Sequence, residues 1–291
     1  MNIMSWNIKQ FNYNPQKDEN EQIARIYQIA EIVRSRDIDI LAVLEVRPSI
    51  KSPLFGESYD NSQGALAITQ LKEILGGQWR YALSGGNAHK ESNKGELYAF
   101  LWRSDRVTPL NEPSLINTDA QQNILPFKNR VPAMMLFGEN NSKQVFAIMV
   151  YHAPNPSEMS SKEIGYIKKL AHIQEFPTVL CGDFNMDTKN VSTILQPEFN
   201  LAVTNETSLR IKPTGTDNPY DAIFYHGLTL QSAGGDNLLV TIENTLNMTI
   251  TTAQEIKSIK HYTSDHAPVW AQFSLTQRKS EHNALINQPA G

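Results

Sequence analysis

The chain carries a single cysteine, Cys181, in 291 residues. No intrachain disulfide can form. Long apolar runs are also missing. The longest, Val131 to Phe137 and Val145 to Tyr151, fall well short of the roughly 18 residues that suggest a membrane helix, so no membrane span is expected. The opening Met1-Asn2-Ile3-Met4-Ser5-Trp6-Asn7 turns polar without the apolar core of a secretory leader. Together with the missing disulfides this reads as a cytoplasmic protein, with a processed or trimmed secreted form as the alternative. Basic excess is absent too: 26 Lys and Arg stand against 30 Asp and Glu, a formal charge of −4. The chain as a whole therefore lacks the electrostatic footprint of a nucleic-acid binder. A bound cation and a few local arginines can still reverse the potential of one cleft.

Several catalytic signatures are missing as well. Ser84-Gly85-Gly86 lacks the Gly-Lys-Ser/Thr ending of a phosphate-binding loop, and no Gly-x-Ser-x-Gly elbow occurs. No His-x-x-x-His pair or Cys/His cluster offers the usual zinc spacing. What is present is an ordinary globular composition, 40% hydrophobic and 19% charged, with enough apolar material for a sizeable core. No repeat, low-complexity tract or linker interrupts it. One domain over residues 1–275 is expected, followed by a polar tail, 276–291.

Strands are expected at Met1 to Ile8, Asp37 to Val46, Trp79 to Leu83, Leu97 to Trp102, Val131 to Phe137, Val145 to Tyr151, Thr178 to Cys181, Ala222 to Tyr225 and Ala267 to Phe273. Ile40-Leu41-Ala42-Val43-Leu44 is nearly continuous, as in a strand buried on both faces. Helices are expected at Asp18 to Arg36, Gly64 to Leu75, and from a Ser160-x-x-Glu163 capping box to about Ile173. Strands run throughout, with helices between some and hairpin spacing between others. That mixture suggests two packed mixed sheets with outer helices.

The residues that could carry chemistry sit where apolar runs stop. Asp183 and Asn185 flank Phe184 after Gly182, and alternation points both to one side. A carboxylate beside an amide can hold a metal, bind a phosphate oxygen or polarise a water, or it can be an Asx turn. Glu45 ends its run either in a cleft or as a solvated strand end. Asn7, just after the first strand, reads by default as a cap or turn residue. His152 follows a strand and is a catalyst or a hydrogen-bonded surface residue. His266 adjoins Asp265, and Asp221 could reach it; a carboxylate can orient an imidazole and keep it protonated. Cys181 reads as a buried strand residue. His89, His172, His226, His261 and His282 carry weaker signals. Metal-assisted hydrolysis is the class left standing.

The ordered blocks Ser5-Trp6-Asn7-Ile8, Leu44-Glu45-Val46-Arg47, Glu96 to Arg103, Asn129-Arg130-Val131-Pro132-Ala133, His152-Ala153-Pro154, Gly182-Asp183-Phe184-Asn185, Tyr220-Asp221-Ala222-Ile223 and Ser264-Asp265-His266-Ala267-Pro268-Val269 resemble the endonuclease/exonuclease/phosphatase superfamily. They are most similar to its deoxyribonuclease I branch. The resemblance implies an α/β (α+β) fold: a four-layered sandwich of two packed mixed β-sheets flanked by helices, with the site at one rim. It implies Glu45 as principal Mg²⁺ ligand, helped by Asn7 and Asp265, with Mn²⁺ as a substitute and Ca²⁺ left open. It implies His152 oriented by Glu96 and His266 oriented by Asp221 as the acid/base and phosphate-stabilising pair. Asp183 and Asn185 would position water, a second metal or the phosphate, and Arg47 and Arg130 would contact substrate phosphates. Lys94 stands where the deoxyribonuclease I branch has a groove-packing tyrosine, and is assigned to substrate binding.

The expected activity is a Mg²⁺-dependent endonuclease acting on DNA as a monomer. The alternative is a phosphoesterase on a small or lipid phosphate, as in the sphingomyelinase and inositol-phosphatase branches. A non-catalytic scaffold is the third reading, disfavoured because every expected acidic, amide and imidazole position is filled.

Overall fold

Apolar side chains alternate along the central strands and feed three separate cores. In the computed structural model, Met4, Trp6 and Ile8 pack into one cluster while Ile3 packs into another. Leu41 and Val43 likewise part from Ile40, Ala42 and Leu44. Ile148 and Val150 part from Ala147, Met149 and Tyr151. A period of two with apolar residues on both faces is what a sheet buried on both sides requires. The structure describes residues 1–48, 59–85, 95–127, 130–154, 158–171, 176–203, 219–235 and 263–275, with isolated positions between 242 and 259.

The elements in order are β1 (Asn2–Phe11), α1 (Glu19–Arg34), β2 (Ile40–Val46), α2 (Gln63–Leu75), β3 (Trp79–Leu83), β4 (Leu97–Arg103), β5 (Val107–Pro109), β6 (Ser114–Leu115), β7 (Ala133–Glu139), β8 (Val145–His152), α3 (Glu158–Lys169), β9 (Thr178–Asp183), α4 (Thr188–Leu195), β10 (Asn200–Leu201), β11 (Asp221–His226), β12 (Thr229–Gly235) and β13 (Val269–Ser274). One sheet runs β12-β13-β1-β2-β4-β3; the other runs β10-β11-β9-β8-β7-β5, with β6 also on β7. Among the described residues each sheet has one parallel pair, β1–β2 or β8–β9, set among antiparallel neighbours. Helices α1 and α2 cover the outer face of the first sheet, α3 and α4 that of the second, and the middle core lies between the sheets. This is the four-layered sandwich of two mixed sheets. Burying a Val, Leu, Ile, Phe or Met side chain contributes about 1.5–3 kcal/mol, so the three clusters supply the rigidity on which a rim site can be held.

Local chemistry explains the helix starts. Asp18 accepts from the Asn20 and Glu21 amides, and Ser62 accepts from that of Ala65. Three expectations shift. Strand β1 continues past Ile8 to Phe11, and Asn7 is paired with Leu44 inside it, a residue of the ladder and not a cap or turn. Helix α3 starts at Glu158 and ends at Lys169, so Ser160 is not its cap. Glu163 faces inward instead and accepts a 3.1 Å hydrogen bond from the buried Tyr151 hydroxyl. The polar tail, 276–291, lies outside the described residues.

Candidate active site

The register of the second sheet assembles the centre of the site. At one end of β8, β9 and β11, His152 is paired with Asp183, and Asp183 with Asp221. Gly182 lets β9 reach that point. Its φ is +146°, and a Cβ there would stand 1.9 Å from the Tyr151 carbonyl oxygen, so only glycine fits. From the other sheet, Asn7 donates through Nδ2 to Asp183 Oδ2 at 3.0 Å and to Glu45 Oε1 at 3.3 Å. The two sheets thus meet at a carboxylate–amide–carboxylate contact.

Backbone irregularity aims several of these groups. Strand β2 shifts register against β4 between Val43 and Val46, and β1 shifts against β2 between Asn7 and Phe11. Inside those bulges Glu45 has φ +56° and Gln10 φ +47°; Asn185 has φ +47°. A non-glycine residue held there costs on the order of 1–3 kcal/mol, and bulges re-aim side chains beside functional sites. Here the Gln10 amide donates to Glu45 Oε2 at 3.1 Å. The Asn185 amide donates to Asp183 Oδ1 at 2.9 Å, and its side chain donates to the Ala153 carbonyl at 2.9 Å.

Each imidazole is backed by a carboxylate and turned toward Asp183. His266 Nδ1 lies 2.7 Å from Asp221 Oδ2, and its Nε2 lies 3.8 Å from Asp183 Oδ2. His152 Nδ1 lies 2.8 Å from Glu96 Oε1, and its Nε2 lies 3.5 Å from Asp183 Oδ2. Burial favours the neutral ring of His266, but Asp221 and then Asp183 outweigh it and push the pKa up to about 10. His152 moves the same way: burial opposes, while Glu96 and Asp183 raise its pKa. Burial would raise Glu96, yet His152, Arg130 and Arg47 hold it down at about 2. Asp183 is likewise held below the usual carboxylate range, against its burial, by His266 and His152. Each shift supports the others: the Asp183 carboxylate favours the protonated form of both rings, and the rings favour the ionised form of Asp183.

The donor set suits the divalent cation that the family resemblance implies. Asn7 Oδ1 is buried without a hydrogen-bond partner, beside the carboxylates that its own Nδ2 contacts. An orphaned amide oxygen among carboxylates is an oxygen-rich corner of the kind a hard cation such as Mg²⁺ takes. Residues and group therefore fit. Ligand atoms of Asp183, Asp221 and His266 also lie within 4.8 Å of one another and could hold a metal ion. His266 Nδ1 and Asp221 Oδ2 already share a 2.7 Å bond. Asp265 stands apart from this corner in one respect: Lys9 Nζ holds its Oδ2 at 2.8 Å.

No family model matches the chain, and no curated protein matches it. Solved structures do. An endonuclease/exonuclease/phosphatase family protein from Bacteroides thetaiotaomicron aligns over 94% of this chain and 97% of its own, at 18% identity and a TM-score of 0.62. The chain has the endonuclease/exonuclease/phosphatase fold. A mannosyl-6-phosphatase from the same organism aligns over 94% of this chain and 99% of its own, at 17% identity and a TM-score of 0.60. D. rerio TDP2, solved with a single-strand DNA product, aligns over 94% and 98%, at 13% identity and a TM-score of 0.57.

Within this endonuclease/exonuclease/phosphatase fold, Asn7, Glu45, Glu96, His152, Asp183, Asn185, Asp221 and His266 are brought together through the contacts above. Arg47 lies 3.7 Å from Glu45 and 3.8 Å from Glu96, and Arg130 Nε lies 2.8 Å from Glu96. Lys94, His89, His172, His261 and His282 lie outside the described residues. His226 Nδ1 is 2.7 Å from the Glu198 carbonyl, a structural contact. Cys181 is buried, and burial pushes its thiol up to about 12, which removes it from nucleophilic chemistry. Sequence reasoning missed Lys9 and the role of Ser264. Lys9 stands two residues after Asn7 on β1, so period-two alternation was the available signal.

Proposed function

We propose that this protein is a divalent-metal-dependent phosphodiesterase that hydrolyses DNA internally, in the manner of deoxyribonuclease I. The observation that carries the reading is the convergence of two carboxylate-backed imidazoles on Asp183 Oδ2, at 3.5 and 3.8 Å, beside the Asn7–Glu45 corner. Phosphoester hydrolysis needs positive charge facing the phosphoryl oxygens and a proton source for the leaving oxygen. Two imidazolium groups supply both. Asp183, kept ionised, faces the place where a water would be oriented and deprotonated, and Asn185 fixes Asp183 through its amide. Glu45 and Asn7, with Asp265, would hold a divalent cation. The chemistry such a cation would supply there is positive charge against the phosphate and a more acidic water.

A compact phosphomonoester, such as a sugar phosphate, is the second reading. It is favoured by the formal charge of −4 and by Arg47 and Arg130 both lying against carboxylates, which leaves the mouth less basic than a polyanion groove. Mannosyl-6-phosphatase activity in a protein of the same fold adds to it. A product profile separates the two. Supercoiled plasmid, single-stranded DNA and a panel of sugar and inositol phosphates are incubated with Mg²⁺ or with chelator. Nicked plasmid only with Mg²⁺ supports the nuclease reading; inorganic phosphate released from the panel with plasmid intact supports the second.

A further inference from the structure

Arg25, in the second turn of α1, lies in a groove of about 400 Å³ lined also by Lys9, Phe11, Asn12 and Lys17. Its guanidinium makes a forked contact. Nε and Nη2 donate to the Thr263 carbonyl at 3.2 and 2.9 Å, and Nη2 also donates to the Lys9 carbonyl at 2.7 Å. The guanidinium carbon stands 5.6 Å from the Phe11 ring centroid, within cation–π range.

Those two carbonyls belong to the segments that present half of the candidate site. Lys9 follows Asn7 by two residues, and Thr263 precedes Asp265 by two and His266 by three. Further bonds join the same segments. Ser264 Oγ donates to the Asn7 carbonyl at 2.7 Å and accepts from the His266 amide at 3.1 Å. Lys9 Nζ reaches Asp265 at 2.8 Å. From α1, Gln28 Oε1 accepts from the Thr263 hydroxyl at 2.8 Å.

Two carbonyl oxygens aimed at one place repel unless donors stand between them. A guanidinium offers several N–H groups in one plane and can serve both; an ammonium is a point charge on a flexible stem. Without the fork, one or both carbonyls lose their donor, and a buried acceptor left unpaired drives the backbone to rearrange. That rearrangement would be felt first at Asp265 and His266.

We propose that Arg25 is a positioning residue: by clamping the Lys9 and Thr263 carbonyls it fixes where Asp265 and His266 stand, without touching the reacting atoms. The kinetic part of its test rests on the phosphoester-hydrolase reading, and the spectroscopic part does not.

The test records side-chain ¹H–¹⁵N spectra of the histidines in metal-free wild type and Arg25→Ala. The His266 ring signals should shift and broaden, while those of His152, held by Glu96 on the other sheet, stay in place. With Mg²⁺ and the substrate found for the wild type, kcat should fall on the order of tenfold to a hundredfold, as a small misplacement of catalytic groups gives, with KM little changed. Millimolar guanidinium, but not methylammonium, should restore both signals and rate. Undisturbed His266 signals would overturn the proposal. So would equal disturbance of His152 and His266, the result of a merely structural arginine, and so would equal rescue by methylammonium. If Arg25→Ala does not fold, Arg25→Lys, which keeps the cation but not the fork, is read by the same two-histidine comparison. Wild type inactive on every phosphoester would overturn the hydrolase reading and leave that comparison to decide the clamp.

Discussion

Asn7, on β1 of one sheet, donates a 3.0 Å hydrogen bond to Asp183 at the end of β9 in the other. Both residues are about 1% exposed, so the bond is a buried fastening between the two halves of the sandwich. The same amide also touches Glu45. Anything that moves the sheets relative to each other therefore moves the proposed water-orienting carboxylate relative to the proposed metal ligand.

Replacing Asn7 with alanine should thus cost both stability and rate. Losing a donor to a buried charged acceptor is expected to cost about 1–3 kcal/mol. Chemical denaturation measures that loss. The metal affinity of the folded variant, followed by calorimetry with Mn²⁺, should fall as well.

Asp221→Asn should uncouple His266 from its high pKa. In the wild type Asp221 and then Asp183, acting against burial, push the His266 pKa up to about 10. The sign follows: this pair's contribution to folding is complete below the ordinary histidine pKa and is lost as pH rises through about 10. An NMR titration of metal-free Asp221→Asn should find the His266 midpoint well below the wild-type value. The hydrolysis rate should drop by roughly 10²–10⁴, the range for losing a general acid or base.

Glu96 governs the acid side. Its carboxyl is held at about 2 by His152, Arg130 and Arg47 against the cost of burial, compared with 4.5 for a free glutamate. Its stabilising contribution is therefore complete above about pH 4.5 and lost as pH falls toward 2. Glu96→Gln should be less stable at neutral pH and should show a flatter stability profile below pH 4.5, as measured by denaturant midpoints in a pH series.

Gly182→Ala tests the backbone beneath Asp183. An added Cβ would stand 1.9 Å from the Tyr151 carbonyl oxygen at a φ of +146°, and a main-chain carbonyl held in a sheet cannot step aside cheaply. A destabilisation above about 4 kcal/mol is expected, in the exceptional range for single substitutions, seen as loss of soluble protein or a large fall in Tm.

Much of this was legible in the sequence because the chemistry sits in short blocks at the ends of apolar runs. Val145 to Tyr151 leads into His152 and Thr178 to Cys181 leads toward Asp183, and parallel pairing of those strands sets the two residues side by side. Other features have no local signal. Whether Asn7 caps a turn or lies within a strand depends on how far β1 pairs with β2. The positive φ of Glu45 arises from register shifts against two neighbours. Strand β12, reading Thr-Leu-Gln-Ser-Ala-Gly-Gly, forms on the edge beside β13 despite a composition poor in strand formers. Helix α4 is only eight residues long and is announced chiefly by its Asp187 cap. Arg25 gains meaning only when residues 238 positions apart in sequence meet.

The central claim is that one rim, holding Glu45 and His266 with their partners, hydrolyses phosphoesters with a divalent cation. The most direct measurement compares wild type with the Glu45→Ala/His266→Ala double variant on plasmid DNA and on a phosphomonoester panel, with Mg²⁺ and with chelator. The wild type should hydrolyse at least one substrate only when Mg²⁺ is present, and the double variant, shown to be folded, should hydrolyse none at a detectable rate. Equal hydrolysis by the double variant, or wild-type hydrolysis indifferent to chelator, would contradict the account.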